Sequence, residues 1–301
     1  MPSGGDPRTR PIGVFDSGVG GLTVLHELLV ALPHENFLYL GDTARFPYGM
    51  RSREELERFA VDVAGALVTR RAKLVVVACN SATAAAMPAL RRRMMETTLG
   101  VDVLGVVRPE AVQAAALTRT GRIGLLATPT TVSSGAYADA LAAVDPHVTL
   151  TAVPCPDLAP IIQGGEEFDA GLVDTVRGYC RPLRDADVDT VILGCTHYPL
   201  VRPLLQRMLG PGVQLVTSGA ALARQVGHAL AARDLAHPGE VDREGDYRFL
   251  TTGDVEEFRA LGTRFLQMPL GEIEHIDLAV DSVDGRDQVA ERRDPSGSPH
   301  A

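Results

Sequence analysis

Short apolar runs alternate with longer stretches of helical periodicity along most of the chain. "PIGVFD" (11–16) reads as a strand, "LTVLHELLVAL" (22–32) as a helix and "NFLYLGD" (36–42) as a strand. "REELERFAVDVAGALVTRR" (53–71) is a helix with acids early and arginines late, which suits its dipole. "LVVVAC" (74–79) is a strand, "SATAAAMPALRRRMM" (81–95) a helix and "VDVLGVV" (101–107) a strand. Continuous apolar strands separated by helices predict an α/β fold, with parallel sheets covered on both faces.

The pattern then restarts. "GRIGLLATPTTVSSGAYADAL" (121–141) resembles "RPIGVFDSGVGGLTVLHELL" (10–29), "VTLTAVPCPD" (148–157) parallels "NFLYLGD", and "DTVILGCTHYPLVRPLL" (189–205) parallels "KLVVVACNSATAAAMPAL". The offset is 111 between Ile12 and Ile123 and 116 between Cys79 and Cys195. Three matched pairs in order indicate a duplicated βαβαβ unit. "VQLVTSGAALARQVGHALAARDL" (213–235) and "YRFLTTGDVEEFRALGTRFLQ" (247–267) add two strand–helix pairs, and these late elements are expected to return to the first unit. The expected division is one α/β domain from 10–103 plus 218–268 and a similar one from 104–217, with the active site in the cleft between them. Residues 1–9 and the polar stretch 283–301 are expected to be flexible tails.

Composition narrows the class. The chain is 45% hydrophobic and 22% charged, and no stretch approaches the ~18 apolar residues of a membrane helix. No apolar segment follows the N-terminal basic residues, so a secretory signal is not expected. A net charge of −9 argues against a nucleic-acid surface. Four cysteines in 301 residues do not make a disulfide framework; free thiols in a reducing cytoplasm are the expectation. Lys73 is the only lysine. It opens a strand and should lie roughly 20 Å from Cys79 at the other end. Schiff-base chemistry, including that of pyridoxal phosphate, would have to use it.

Ligands of parallel α/β sheets bind at the carboxyl ends of the strands, where Asp16, Asp42, Cys79 and Cys195 fall. If the halves face each other, the two thiols oppose one another across the cleft. Each is also expected near a helix N-terminus, whose positive end lowers a thiol pKa. A lone strand-end cysteine is usually core; two at equivalent places of a repeat are not so easily dismissed. Cys195-x-His197 supplies only two zinc ligands and no second cluster accompanies it, so no metal is expected. A Cys-x-x-Cys redox motif is absent. Proton exchange at one carbon by two opposed thiols fits. Two other readings stay open on the residues alone. Gly18-x-Gly20, with Asp42 about 20 residues on, is a weak dinucleotide fingerprint. A two-domain clamp that binds an amino acid without chemistry needs neither thiol.

"FDSGVGGLTVL", "GDTARFPYG", "ACNSATA" and "LGCTHYPL" resemble, in order and spacing, the glutamate racemases of the cofactor-independent aspartate/glutamate racemase superfamily. The resemblance covers roughly residues 11–268. It implies two α/β domains, isomerisation of L-glutamate to D-glutamate for peptidoglycan, no cofactor and a cytoplasmic location. It implies Cys79 and Cys195 as the proton donor/acceptor pair, with Asp16 helping the first thiol and His197 the second. Asp16, Ser17, Tyr48, Gly49, Asn80, Ser81, Thr196 and His197 match the positions that hold substrate. Ser81 stands where threonine is more usual, which keeps the hydroxyl. Gln163 stands where many members carry a glutamate thought to support the second half-site, and Glu166 or Glu167 could substitute. The sequence admits a homodimer without requiring one, and leaves the preference for glutamate over aspartate to the motifs alone.

Overall fold

The structure is a computed structural model and describes residues 5–97, 100–165, 170–239 and 243–278. The first unit runs β1 (Ile12–Asp16), α1 (Leu22–Ala31), β2 (Phe37–Gly41), α2 (Arg53–Thr69), β3 (Leu74–Val77), α3 (Asn80–Glu96) and β4 (Asp102–Gly105). A crossover helix, α4 (Val107–Leu117), leads to β5 (Arg122–Ala127), α5 (Pro129–Ser133), α6 (Ala136–Val144) and β6 (Thr149–Pro154). Then come α7 (Leu158–Gly164), α8 (Ala170–Asp185), β7 (Thr190–Gly194), α9 (Arg202–Leu209) and β8 (Gln214–Val216). α10 (Gly219–Ala232), β9 (Tyr247–Thr251), α11 (Val255–Leu266) and β10 (Ile273–His275) complete the order.

Two all-parallel sheets result, ordered β10-β9-β2-β1-β3-β4 and β6-β5-β7-β8. The run β2-β1-β3-β4 of the first is repeated by β6-β5-β7-β8 in the second, which is the duplication expected from the sequence. Register makes the equivalence exact at residue level. Ile12 pairs with Leu74, and Ile123 pairs with Thr190. Cys79 follows Leu74 at the same interval as Cys195 follows Thr190. β9 joins the first sheet beside β2, so the chain does return to its first unit.

Burial explains the apolar runs. β1, β2, β3 and β7 are buried at every position. α2 and α3 cover one face of the first sheet through Leu56, Val63, Leu67, Ala86 and Leu90. α1, α10 and α11 cover the other face through Leu25, Leu28, Val226 and Phe258, and this core continues to Leu193 and Cys195 of the second unit. α4 and α6 pack Ala111, Ala114 and Leu141 onto the second sheet's remaining face. α2 starts on a capping box in which Ser52 and Glu55 satisfy each other's backbone N–H groups.

α4 is not assigned from the sequence, where 101–107 reads as strand throughout. Pro109 lies within the helix's first turn, where its missing N–H costs nothing. β10 is too short to register as a periodic run. Within the stretch expected as a flexible tail, Pro7–Thr9 forms a 3₁₀ turn, because Lys73 and Asn36 donate to the Arg8 and Thr9 carbonyls at 2.6 and 2.8 Å. The 283–301 tail, Glu166 and Glu167 lie outside the described residues.

Candidate active site

The carboxyl ends of β1, β3, β5 and β7 converge on one narrow gap. Cys79 and Cys195 line it together, with Ser17, Tyr48, Gly49, Asn80, Ser81, Thr196 and His197. Asp16 lies directly beneath, fully buried, its Oδ1 receiving Thr196 Oγ–H at 3.3 Å and its Oδ2 the Gly18 N–H at 3.1 Å. The two thiols are 5% and 7% exposed. The gap encloses only about 20 Å³, room for about one water. That is less room than an amino acid needs.

Each residue is placed by a local device. Cys79 is the N-cap residue of α3, and the loop after β1 brings Ser17 to the same gap. Glycine is required where that loop meets the second unit: a Cβ on Gly20 would sit 2.4 Å from both His197 Nδ1 and Thr196 Oγ1. A Cβ on Gly49 would likewise strike Thr128 at 2.6 Å. Thr130 Oγ–H spans the same seam, 2.9 Å from the Gly49 and Arg51 carbonyls. Tyr48 is buried and donates to Asp42, which also receives Arg45 Nε–H at 2.6 Å and Thr252 Oγ–H at 2.8 Å. Asp42 therefore fixes Tyr48 from behind the gap. Ser81 Oγ lies 2.9 Å from Thr128 Oγ1.

The second half-site centres on His197. Its Nδ1 is 3.8 Å from Cys195 Sγ, and its Nε2 is 3.0 Å from Gln163 Oε1. Phe46 and Phe265 wall the ring at centroid distances of 5.6 and 5.1 Å. The amide oxygen of Gln163 only accepts, so Nε2 carries the proton and Nδ1 turns its lone pair toward the thiol.

The expected lowering of the thiol pKa values is not found. Burial, with the Asp16 charge adding to it, pushes Cys79 up to about 12. Burial likewise pushes Cys195 well up. Only Cys79 directly precedes an α-helix; Cys195 is followed by a turn and the 3₁₀ segment Tyr198–Val201 before α9 begins. Loss of water outweighs a partial helix charge here. Burial lowers His197 to about 3, so its imidazole is neutral, and raises Asp16 above the usual carboxylate range.

Other candidates sort clearly. Cys155 and Cys180 are buried and do not line the gap. His26 bonds the Leu266 carbonyl through Nδ1 at 3.0 Å. Lys73 sits at the opposite end of β3 from Cys79. Its three ammonium hydrogens are taken by Glu35, Arg8 O and Leu235 O at 2.6, 2.6 and 2.8 Å. The dinucleotide reading fails on the same grounds: Gly20 packs against protein and Asp42 is filled by Tyr48, Arg45 and Thr252. Among the described residues no group of three or more His, Cys, Asp and Glu side chains could hold a metal.

Sequence reasoning missed Thr128, Glu110, Tyr137 and Ser218. Thr128 was within reach: the offset that pairs Ile12 with Ile123 pairs Ser17 with Thr128. Glu110, Tyr137 and Ser218 form a buried cluster with Asn80 that no short motif marks.

A profile of the Asp/Glu/Hydantoin racemase family matches residues 17–226. The chain belongs to this family. A glutamate racemase of Lactiplantibacillus plantarum is 40% identical over 273 residues, covering 91% of this chain and 98% of the relative. The crystal structure of a glutamate racemase of Bacillus anthracis superposes with a TM-score of 0.84 at 35% identity, covering 90% of this chain and 98% of the other. That of Francisella tularensis, in complex with D-glutamate, gives 0.82 at 30% identity and the same coverage. Family membership and these relatives make the chain a racemase, an isomerase. Among the described residues no helix is long and apolar enough to cross a membrane.

Proposed function

We propose that the chain interconverts L- and D-glutamate by passing the α-proton between Cys79 and Cys195, and so supplies D-glutamate for peptidoglycan in the cytoplasm. The observation that carries this reading is the pairing of two thiols at equivalent positions of two like-ordered sheets, lining one water-poor gap. One thiolate removes the α-proton and becomes a thiol. The opposite thiol then gives its proton to the other face of the carbanion and becomes the thiolate. No net proton is gained or lost, and the reverse reaction swaps the roles.

Ionising a thiol in this gap is the difficulty, since both are pushed up. Substrate relieves it. Its ammonium brings a positive charge beside Asp16, cancelling the repulsion that Asp16 exerts on Cys79 and favouring a thiolate. Beside Cys195, the His197 Nδ1 lone pair offers the thiol's proton a place, and an imidazolium next to the sulfur favours its anion. Hydroxyls of Ser17, Ser81 and Thr196, the Asn80 amide and the backbone near Tyr48 and Gly49 hold the two carboxylates and the ammonium. Their hydrogen bonds strengthen as water is expelled.

The division into units of 10–103 plus 218–268 and 104–217 supports an opening motion about the crossovers near residues 104 and 217. The first sheet also takes in Gly105 of β4 and all of β10, which lie outside those bounds. The reading involves no cofactor; the sole lysine, which Schiff-base chemistry would need, is held at the far end of β3. The test is polarimetry of L-glutamate and L-aspartate with purified protein alone, repeated in D₂O. L-Glutamate should lose its rotation and take up deuterium at the α-carbon. A rate that depends on added pyridoxal phosphate, or loss of rotation without deuterium uptake, would overturn the reading.

A further inference from the structure

Glu110 is fully buried on α4, yet it reaches none of the groups given a role in proton transfer. Its carboxylate instead gathers three donors from three different elements. Ser218, at the start of α10, donates to Oε1. Tyr137, on α6, donates to Oε2. Asn80, the residue after Cys79, donates its Nδ2–H to the same oxygen at 3.1 Å and to Tyr137 Oη at 2.7 Å. The Asn80 amide is thereby anchored by its nitrogen on the Glu110–Tyr137 pair.

The other end of that amide is the telling atom. Asn80 is 2% exposed and its Oδ1 is buried with no hydrogen-bond partner, although the residue lines the gap. An orphaned carbonyl oxygen of this kind costs about 1–3 kcal/mol. A bound donor recovers that cost. The only strong donor on the substrate, as read under the proposed function, is its α-ammonium. Turning the amide over would satisfy nothing, because it would face Oδ1 with the Glu110 oxygen.

We propose that Glu110 is a positioning residue: it holds the Asn80 amide so that the oxygen alone faces the gap, where it accepts a hydrogen bond from the substrate ammonium. This rests on the glutamate-racemase reading. Glu110 also joins the start of α10 to α4, so the same carboxylate ties both crossovers to the Cys79 half of the site.

A double-mutant cycle tests it, with KM and kcat for glutamate measured in the intact enzyme. Asn80→Ala removes the acceptor and should raise KM about tenfold, as loss of a hydrogen bond to a charged group does. Glu110→Met keeps the shape and removes the three acceptor contacts; KM should rise similarly, with a smaller change in kcat. The double variant should then be no worse than Asn80→Ala alone. Glu110→Gln retains an oxygen toward Asn80 and should recover most of the loss. Additive effects on KM, or failure of Gln to rescue where Met fails, would overturn the assignment. So would an unchanged KM in Asn80→Ala. Wild-type turnover of glutamate is read in the same assays, so a failure of the racemase reading itself is seen separately.

Discussion

His197 Nε2 lies 3.0 Å from Gln163 Oε1, an amide where a carboxylate was the expectation from related sequences. Gln163 fixes the ring and its tautomer without adding a negative charge. Gln163→Leu should therefore lower kcat about tenfold, the equivalent of one hydrogen bond of about 1.4 kcal/mol. Because a racemase has an equilibrium constant of one, kcat/KM must fall equally in both directions. The asymmetry appears in isotope effects instead. The α-deuterium effect should grow for the enantiomer from which Cys195 takes the proton and shrink for the other. Equal isotope effects for both enantiomers would remove Gln163 from the second half-site.

Gly20→Ala places a Cβ 2.4 Å from His197 Nδ1 and Thr196 Oγ1. The loop after β1 and the turn after β7 cannot both stay in place. Overpacking of this kind costs roughly 1–3 kcal/mol, and turnover should fall at least tenfold. Urea unfolding and steady-state rates check it. Normal rates in a folded variant would contradict the close approach.

Asp42→Ala removes the acceptor shared by Tyr48, Arg45 and Thr252. Breaking so buried a pair leaves charge uncompensated, about 3 kcal/mol of stability lost, less what the partly exposed Arg45 regains from water. Released from Asp42, Tyr48 should also let the KM for glutamate rise. A loss of stability with KM unchanged would confine Asp42 to the scaffold.

Burial pushes the Glu110 carboxyl up to about 7, while Ser218, Tyr137 and Asn80, the groups that face it, pull the other way. The folded pKa lies above the unfolded value, so the folded state binds the proton more tightly. The contribution is fully present below about 4.5 and is lost as pH rises through about 7. Glu110→Gln cannot ionise. It should match the wild type near pH 4 and be more stable at pH 8, by as much as about 3 kcal/mol. A difference that does not change between the two pH values would show that the carboxyl is not perturbed.

The sheets, their duplicated order and the equivalence of the thiols were legible in the sequence because apolar strands and glycine-bearing turns are local signals. Asp16, Cys79 and Cys195 were legible because they end those strands. The Asn80–Glu110–Tyr137–Ser218 cluster was not, since its members lie on α3, α4, α6 and the start of α10 and meet only after folding. Nor was the direction of the thiol pKa shifts. Helix starts are visible in a sequence; the extent to which two sheets exclude water between them is not.

Cys79→Ser and Cys195→Ser provide the most direct measurement. Each variant should lose racemisation by 10²-fold or more. Each is then given both enantiomers of a glutamate analogue with a halide on Cβ. Removal of the α-proton alone completes halide loss and forms the Cα=Cβ bond, so one intact base suffices. Two bases on opposite faces predict that one variant eliminates from one enantiomer only and the other variant from its mirror image. If both variants eliminate from the same enantiomer, or if either still racemises glutamate at the wild-type rate, the thiols do not address opposite faces of one carbon.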